Sequence, residues 1–216
     1  MNFKYLIVEG CIGAGKTSLA ERLATCFQTR TVLDKPWDNP HLEEFYERKP
    51  GAAFRAQLYF LAQRVTALKV LTRTFPEGGC VISDFLLEKD KIFANVNLND
   101  AELLIYKNLF DAVSDYLVQP DLVLYLKAPL DILLKRVQQR NKAQEKRITP
   151  AYLTNLMEAY EHFFYKYQER TRIPVLIIDN TRMDIFSPGS DVEELAGFIR
   201  SKSIVGIQYY APTAKG

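Results

Sequence analysis

The residues at positions 10 to 17, Gly-Cys-Ile-Gly-Ala-Gly-Lys-Thr, have the types and the spacing of a loop that binds phosphate groups. The glycines let backbone N–H groups converge on phosphate oxygens, and a helix that begins at the end of the loop adds partial positive charge. Lys16 is expected to reach the outer phosphates and Thr17 to hold Mg²⁺. The alternative is a glycine turn without a ligand. The predicted nucleotide-binding residues are Gly10, Gly13, Ala14, Gly15, Lys16, Thr17 and Ser18.

A candidate acceptor site follows further along the chain. Asp34 comes directly after a short apolar run, and a carboxylate at a strand end beside a phosphate loop is well placed to act as a general base. Gln57 and Arg64 lie two turns apart at the edge of an apolar stripe on a predicted helix, where both could read the hydrogen-bonding edge of a purine. The simpler alternatives are a turn-capping Asp34 and two polar side chains that cap the rim of the core or lie in solvent.

A basic stretch begins in the predicted helix 130–141 and continues beyond its end. Arg136 and Arg140 are one turn apart on a different face from the apolar residues Leu130, Leu133, Leu134 and Val137, and Lys142, Lys146 and Arg147 continue the positive charge. Cations of this kind can spread the negative charge that builds up during phosphoryl transfer. An exposed basic helix end that complements the helix dipole is the alternative.

Short apolar runs alternate with long amphipathic stretches through most of the chain. The runs lack polar alternation, as expected of strands that are buried on both faces of a parallel sheet. They are residues 4–9, 30–33, 80–83, 122–126 and 175–178, and the amphipathic stretches between them are 54–74, 101–118, 130–141 and 150–167. This order predicts an α/β fold with a doubly wound, parallel five-stranded sheet and helices on both faces.

The order of these motifs resembles that of the deoxynucleoside kinases, particularly the bacterial purine kinases. The resemblance is carried by the phosphate loop, the acidic strand end, Asn-Pro-x-Leu-x-x-Phe-Tyr at 39–46, and Phe-x-x-Gln at 54–57 with Arg64 seven residues later. It covers about residues 4–186 and implies a P-loop kinase whose short helical lid, at about 136–148, folds over the triphosphate.

The same resemblance implies roles for individual residues. Asp34, where the family usually has Glu, would take the proton from the sugar 5′-hydroxyl, and Gln57 and Arg64 would lie at the base. Tyr46 and Glu145 would approach the 3′-hydroxyl from two sides. Asp84 would serve Mg²⁺ through water. Arg136, Arg140 and Lys142 would act from the lid, whereas Lys89 is interpreted as a solvated side chain.

Composition limits the other possibilities. The 28 basic and 26 acidic residues are well mixed, so no nucleic-acid partner is expected, and no segment has the apolar length of a membrane span. Three cysteines without paired spacing favour a reducing, cytoplasmic location, and Glu9 interrupts the first apolar run, so no signal peptide is expected. One domain, 1–216, is predicted, with a tail at 205–216 that frays unless it docks on another surface. The resemblance implies a homodimer.

The sequence therefore predicts an ATP- and Mg²⁺-dependent enzyme that phosphorylates the 5′-hydroxyl of a deoxyribonucleoside, with deoxyadenosine or deoxyguanosine expected. A nucleoside monophosphate kinase of the thymidylate kinase type is one alternative, with Arg48, Arg55 and Arg64 as candidates for binding an acceptor phosphate. A nucleotide-binding regulator is another, but the chain contains no Asn-Lys-x-Asp guanine-reading sequence.

Overall fold

The computed structural model describes residues 3–75, 79–114, 117–185, 187 and 190–212. Its strands are β1 (Tyr5–Gly10), β2 (Arg30–Val32), β3 (Val81–Ser83), β4 (Leu122–Lys127), β5 (Val175–Asp179) and β6 (Ile207–Tyr210). Its helices are α1 (Lys16–Phe27), α2 (Leu42–Tyr46), α3 (Ala52–Arg73), α4 (Lys89–Asn97), α5 (Asp100–Ser114), α6 (Leu130–Arg140), α7 (Pro150–Thr171) and α8 (Asp191–Ser201). Two short 3₁₀ turns, Pro36–Asp38 and Gln144–Arg147, complete the described elements.

The strands form one parallel sheet in the order β2-β3-β1-β4-β5-β6, which confirms the α/β class. The first strand shows why this arrangement is favoured: every residue of β1 is buried, as expected at the centre of a sheet covered on both faces. Even Glu9 is fully buried, and its carboxylate accepts hydrogen bonds from the Gly10 and Leu86 backbone N–H groups and from the Tyr160 hydroxyl.

The predicted number of five strands is wrong, because the sheet has six. The sixth, β6, lies in the segment 205–216 that was expected to fray unless it docked, and it pairs with β5 from Ile207 opposite Val175 to Tyr210 opposite Ile178. Tyr210 packs beside Phe198, with ring centroids 5.2 Å apart, whereas the adjacent Tyr209 is 78 % exposed. The tail therefore docks through one buried tyrosine. Residues 213–216 lie outside the described part of the chain.

The strand order determines where a ligand can bind. The neighbours β1 and β3 send their connections in opposite directions, from β1 over β3 to β2 and from β3 over β1 to β4. Such a reversal opens a crevice beyond the carboxyl ends of the strands. The phosphate loop, Asp34 and Asp84 follow β1, β2 and β3 respectively, so all three lie at that crevice.

The helices pack in two groups around the sheet. Helix α1 contacts α8, whereas α3, α4, α5 and α7 contact one another. One hydrophobic cluster includes buried side chains from Phe3 to Tyr210 and so joins both groups to the strands. Among the helices of the described residues, none combines the length and the apolar character needed to cross a membrane.

Replacement of Tyr210 by Ala tests whether the docked tail stabilises the fold. Tyr210 is 8 % exposed, so the substitution should leave a cavity and lower the free energy of unfolding by about 2–4 kcal/mol in urea denaturation. Tyr209→Ala is the matched control and should change it by less than about 0.5 kcal/mol. Equal effects of the two substitutions would show that β6 does not pack as described.

Candidate active site

The phosphate loop connects β1 directly to α1, as the sequence predicts. Gly13 and Gly15 have φ angles of 87° and 86°, a backbone conformation that residues other than glycine rarely adopt. Lys16 Nζ donates to the Gly10 carbonyl at 2.8 Å and to the Cys11 carbonyl at 3.2 Å, so its ammonium group lies across the loop. Burial lowers the pKa of Lys16, because desolvation penalises the charged form.

Asp84 links this loop to the segment after β2. One of its carboxylate oxygens accepts a hydrogen bond from the Thr17 hydroxyl at 2.5 Å, and the other accepts one from the Asp34 backbone N–H at 2.6 Å. The Thr17 hydroxyl and the Asp84 carboxylate are hard oxygen ligands of the type that Mg²⁺ prefers. In the described residues no group of three or more His, Cys, Asp or Glu side chains forms a metal cage. Thr17 and Asp84 would fit a metal whose other ligands are phosphates and waters.

The Asp34 carboxylate is surrounded by cations. Arg64 donates to it through Nε at 3.2 Å and Nη2 at 2.6 Å, and Lys89 Nζ donates to Oδ2 at 2.8 Å. Burial alone would raise the pKa of Asp34, but Lys89 and Arg64 outweigh burial and hold this pKa well below its usual range. Asp34 is therefore ionised at neutral pH. A turn-capping role for Asp34 would not account for its ion pairs with Arg64 and Lys89.

Gln57 and Arg64 are more deeply buried than an edge position implies, at 4 % and 6 % exposed. Arg64 is shared between two carboxylates, since Nη1 donates to the fully buried Asp90 while Nε and Nη2 hold Asp34. Gln57 Nε2 donates to the Asp90 backbone carbonyl at 3.1 Å. Both side chains line the cleft described below, and their burial excludes the alternative that they lie in solvent.

Tyr46 and Glu145 come together from distant parts of the chain. Tyr46 ends α2, Glu145 lies in the second 3₁₀ turn, and both line the same cleft. Burial raises the pKa of Glu145, and Arg140, whose guanidinium lies 3.1 Å from Oε1, opposes this rise. Burial also raises the pKa of Tyr46, and Tyr152 and Glu145 raise it further.

The predicted lid consists of the end of α6 and the 3₁₀ turn that follows it. Arg136 Nη2 donates to the Asn180 backbone carbonyl at 2.8 Å, which ties α6 to the loop after β5. Asn180 in turn donates through Nδ2 to the Ala14 carbonyl of the phosphate loop. The Lys142 ammonium group lies 5.3 Å from the centre of the Trp37 ring. The lid is therefore linked to the phosphate loop through Asn180 and lies against the segment after β2 at Trp37.

These groups line one cleft of about 640 Å³. Every predicted site residue lines it except Gly10 and Ala14, whose carbonyl groups instead accept from Lys16 and Asn180. The structure adds side chains that the sequence interpretation did not assign to the site. They include Trp37, Phe60, Lys89, Phe93, Met183 and Ile185. The aromatic and aliphatic members give the cleft walls against which a base could pack.

Lys89 corrects the sequence interpretation most directly. It was expected to be solvated, but it is 4 % exposed and paired with Asp34. The two residues are 55 positions apart, so no local pattern indicates their contact.

Comparisons with known proteins identify relatives of this chain. The family model described as deoxynucleoside kinase matches residues 6–202. A deoxyguanosine kinase of Bacillus subtilis is 33 % identical over 198 residues, which cover 91 % of this chain and 96 % of the relative. A deoxyadenosine kinase of Dictyostelium discoideum is 31 % identical over 205 residues, with 92 % and 78 % covered. A deoxyadenosine kinase structure from M. mycoides, with dCMP and dCDP bound, superposes with a TM-score of 0.78 at 22 % identity, with 92 % of this chain and all of that chain covered.

Replacement of Gly13 by Ala tests the contact between the loop and α6. An added Cβ would lie 2.7 Å from the Leu133 carbonyl oxygen, and the φ of 87° would be strained. The phosphate loop and α6 must therefore move apart in this variant. We expect its ATP affinity, measured by calorimetry, to fall at least about tenfold, which is the effect of losing one hydrogen bond to a charged group. Gly197→Ala in α8 is the control, since its Cβ would have nothing within 4 Å. Unchanged ATP affinity in the Gly13 variant would contradict the described packing.

Proposed function

The chain belongs to the deoxynucleoside kinase family, and we propose that it transfers the terminal phosphate of ATP to the 5′-hydroxyl of a purine deoxyribonucleoside. The observation that carries this proposal is the single cleft that joins the phosphate loop to Asp34, Gln57 and Arg64. Deoxyguanosine and deoxyadenosine are the proposed acceptors, because they are the substrates named for two relatives that are more than 30 % identical to this chain.

The donor side of the cleft supplies backbone amides and cations for a triphosphate. The amides of the phosphate loop and the start of α1 would bind phosphate oxygens, with Lys16 on the outer phosphates. Arg136 and Arg140 line the cleft from α6 and would stabilise the negative charge that develops during transfer. Thr17 and Asp84 would hold Mg²⁺, which neutralises phosphate charge when it is bound.

The acceptor side supplies groups that suit a nucleoside. Tyr46 and Glu145 present a hydroxyl and a carboxylate to the cleft, and both are suited to hydrogen-bond a sugar hydroxyl. Gln57, with an amide that can both donate and accept, is suited to one edge of a purine. Phe60 and Phe93 line the same cleft and can pack against its faces.

Asp34 is proposed as the group that accepts the proton of the 5′-hydroxyl. In this step the hydroxyl oxygen bonds to the terminal phosphorus, its proton passes to Asp34, and the leaving oxygen keeps the electrons of the broken P–O bond on ADP. A carboxylate with a lowered pKa is a weak base. It is sufficient where the transition state is loose, because catalysis then depends chiefly on positioning and charge.

The arrangement of arginines disfavours an acceptor that already carries a phosphate. Arg48 and Arg55 are outside the cleft lining, and the exposed Arg55 pairs with Glu44 at 2.9 Å. Arg64 lies in the cleft but already contacts two carboxylates. The nucleoside monophosphate kinase alternative therefore lacks a free arginine at the acceptor side of the described cleft.

We also infer a homodimer in the cytoplasm. The outer surface of α3 and α5 exposes apolar side chains that a second copy could cover, namely Val70 at 56 %, Leu104 at 63 %, Ile105 at 51 % and Leu109 at 42 % exposed. The three cysteines are unpaired, which supports a reducing compartment.

A panel of four deoxynucleosides with ATP and Mg²⁺, scored for monophosphate formation, tests the activity. We expect deoxyguanosine or deoxyadenosine to give the highest kcat/KM, because Gln57 can pair with a purine edge. Thymidine monophosphate, included as a fifth acceptor, should not be phosphorylated. Preferred use of the monophosphate, or no transfer to any deoxynucleoside, would contradict the proposal.

The same assay tests Asp34 as the base. Asp34→Asn should lower kcat for the best nucleoside at least about a hundredfold, which is the usual contribution of a general base. Asp38→Asn changes an exposed carboxylate four residues later and should leave kcat unchanged. A rate of Asp34→Asn within about a factor of ten of wild type would mean that another group accepts the proton.

The dimer has a separate test by light scattering after size exclusion. Leu104→Glu should give a monomer, because a charge buried in an apolar interface without a partner is costly. Tyr165→Glu, on α7 with 71 % exposure, is the control and should remain dimeric. A dimer that survives Leu104→Glu would place the interface elsewhere.

A further inference from the structure

Lys89 is a buried lysine that faces the reaction cleft. It is the first residue of α4 and is 4 % exposed, and its ammonium group lies 5.8 Å from the centre of the Phe85 ring. Among the described residues, Nζ has one hydrogen-bond partner, Asp34 Oδ2 at 2.8 Å. An ammonium group has three donors. Two of them therefore remain for a group that enters the cleft.

The other cation at this carboxylate has less freedom. Arg64 directs Nε and Nη2 to Asp34 and Nη1 to the buried Asp90, so both edges of its guanidinium group face carboxylates. Arg64 and Asp90 thus form a fixed support behind Asp34. Lys89 is the more compact charge, on a stem that can rotate its donors toward a new acceptor.

The position of Lys89 relative to the phosphate loop also suits it to contact a group that enters the cleft. The Lys16 ammonium group is near enough to be influenced electrostatically by Lys89 and by Asp84. Lys89, Lys16, Thr17 and Asp84 all line the cleft together with Asp34. The Lys89 ammonium group therefore shares one cleft with the groups that would hold the phosphates.

We infer that Lys89 donates a hydrogen bond to the 5′-oxygen of the nucleoside and thereby positions that oxygen between Asp34 and the terminal phosphate. This inference rests on the proposed function. A hydroxyl that donates to Asp34 Oδ2 lies within reach of an N–H group only 2.8 Å from the same oxygen. During transfer the hydroxyl proton passes to Asp34 and Lys89 keeps its own protons, so the ammonium charge stays beside the attacking oxygen.

The test compares two ligands that differ by the 5′-hydroxyl alone, 2′-deoxyguanosine and 2′,5′-dideoxyguanosine, or the adenine pair if the panel favours adenine. Calorimetry gives the ratio of their dissociation constants. A hydrogen bond to a charged group should make this ratio about tenfold or more in the wild type. Lys89→Met should reduce the ratio to about twofold, and Lys89→Arg, which keeps the charged donor, should restore most of it.

Lys91→Met is the matched control, because Lys91 is on the same helix but pairs with Asp111 at 3.0 Å and does not line this cleft. It should keep the wild-type ratio. In turnover, Lys89→Met should lower kcat at least about tenfold with KM for ATP unchanged, since positioning acts on the acceptor. Loss of affinity for both ligands by the same factor would assign Lys89 a structural role and overturn the inference, as would an unchanged ratio.

The two proposals fail in different ways. A wild-type protein that phosphorylates none of the four deoxynucleosides overturns the proposed function and this inference with it. A wild-type protein that phosphorylates its nucleoside, but whose Lys89→Met variant still favours the ligand with the hydroxyl about tenfold, overturns the inference alone.

Discussion

One carboxylate holds the two halves of the cleft at a fixed distance. Asp84 accepts from the Thr17 hydroxyl with one oxygen and from the Asp34 backbone N–H with the other. Because it follows β3, the strand between β1 and β2, it bridges the phosphate loop and the segment that carries the proposed base. Positioning of donor and acceptor is the main contribution that a protein can make to phosphoryl transfer. The sheet order and this bridge supply that positioning before any ligand contact is considered.

A second constraint is the balance of buried charge around Asp34. Two carboxylates, Asp34 and Asp90, share two cations, Arg64 and Lys89, and each of the four side chains is at most 10 % exposed. Removal of any one would leave a buried charge without compensation, which is costly. A nucleoside that engages Arg64 through its base must therefore weaken an existing ion pair.

The sequence interpretation named the residues of the candidate site whose pattern is local, and all of them except Gly10 and Ala14 line the described cleft. The phosphate loop, Asp34 after β2, and the lid arginines each occupy a short stretch with its own pattern, and the family resemblance was confirmed by the match over residues 6–202. The contacts of Lys89 with Asp34 and of Asp90 with Arg64 could not be predicted, because the two pairs are 55 and 26 positions apart in the sequence, respectively. The sixth strand was missed for another reason. Three of its four residues are not buried, so β6 lacks the continuous apolar pattern by which the other strands were identified.

The aspartate at position 34, where the resembling kinases usually have glutamate, is compatible with this geometry. A side chain one methylene shorter carries its carboxylate less far from the backbone, so groups that act with it must extend toward it. Arg64 and Lys89 have the longest side chains among the standard charged residues, and both reach Asp34 within 3.2 Å. The Asp84 contact also holds the Asp34 backbone toward the phosphate loop. In this chain, therefore, the long side chains of Arg64 and Lys89 extend toward the shorter carboxylate of Asp34. Asp34 can thus line the cleft beside the phosphate loop although it is one methylene shorter than glutamate.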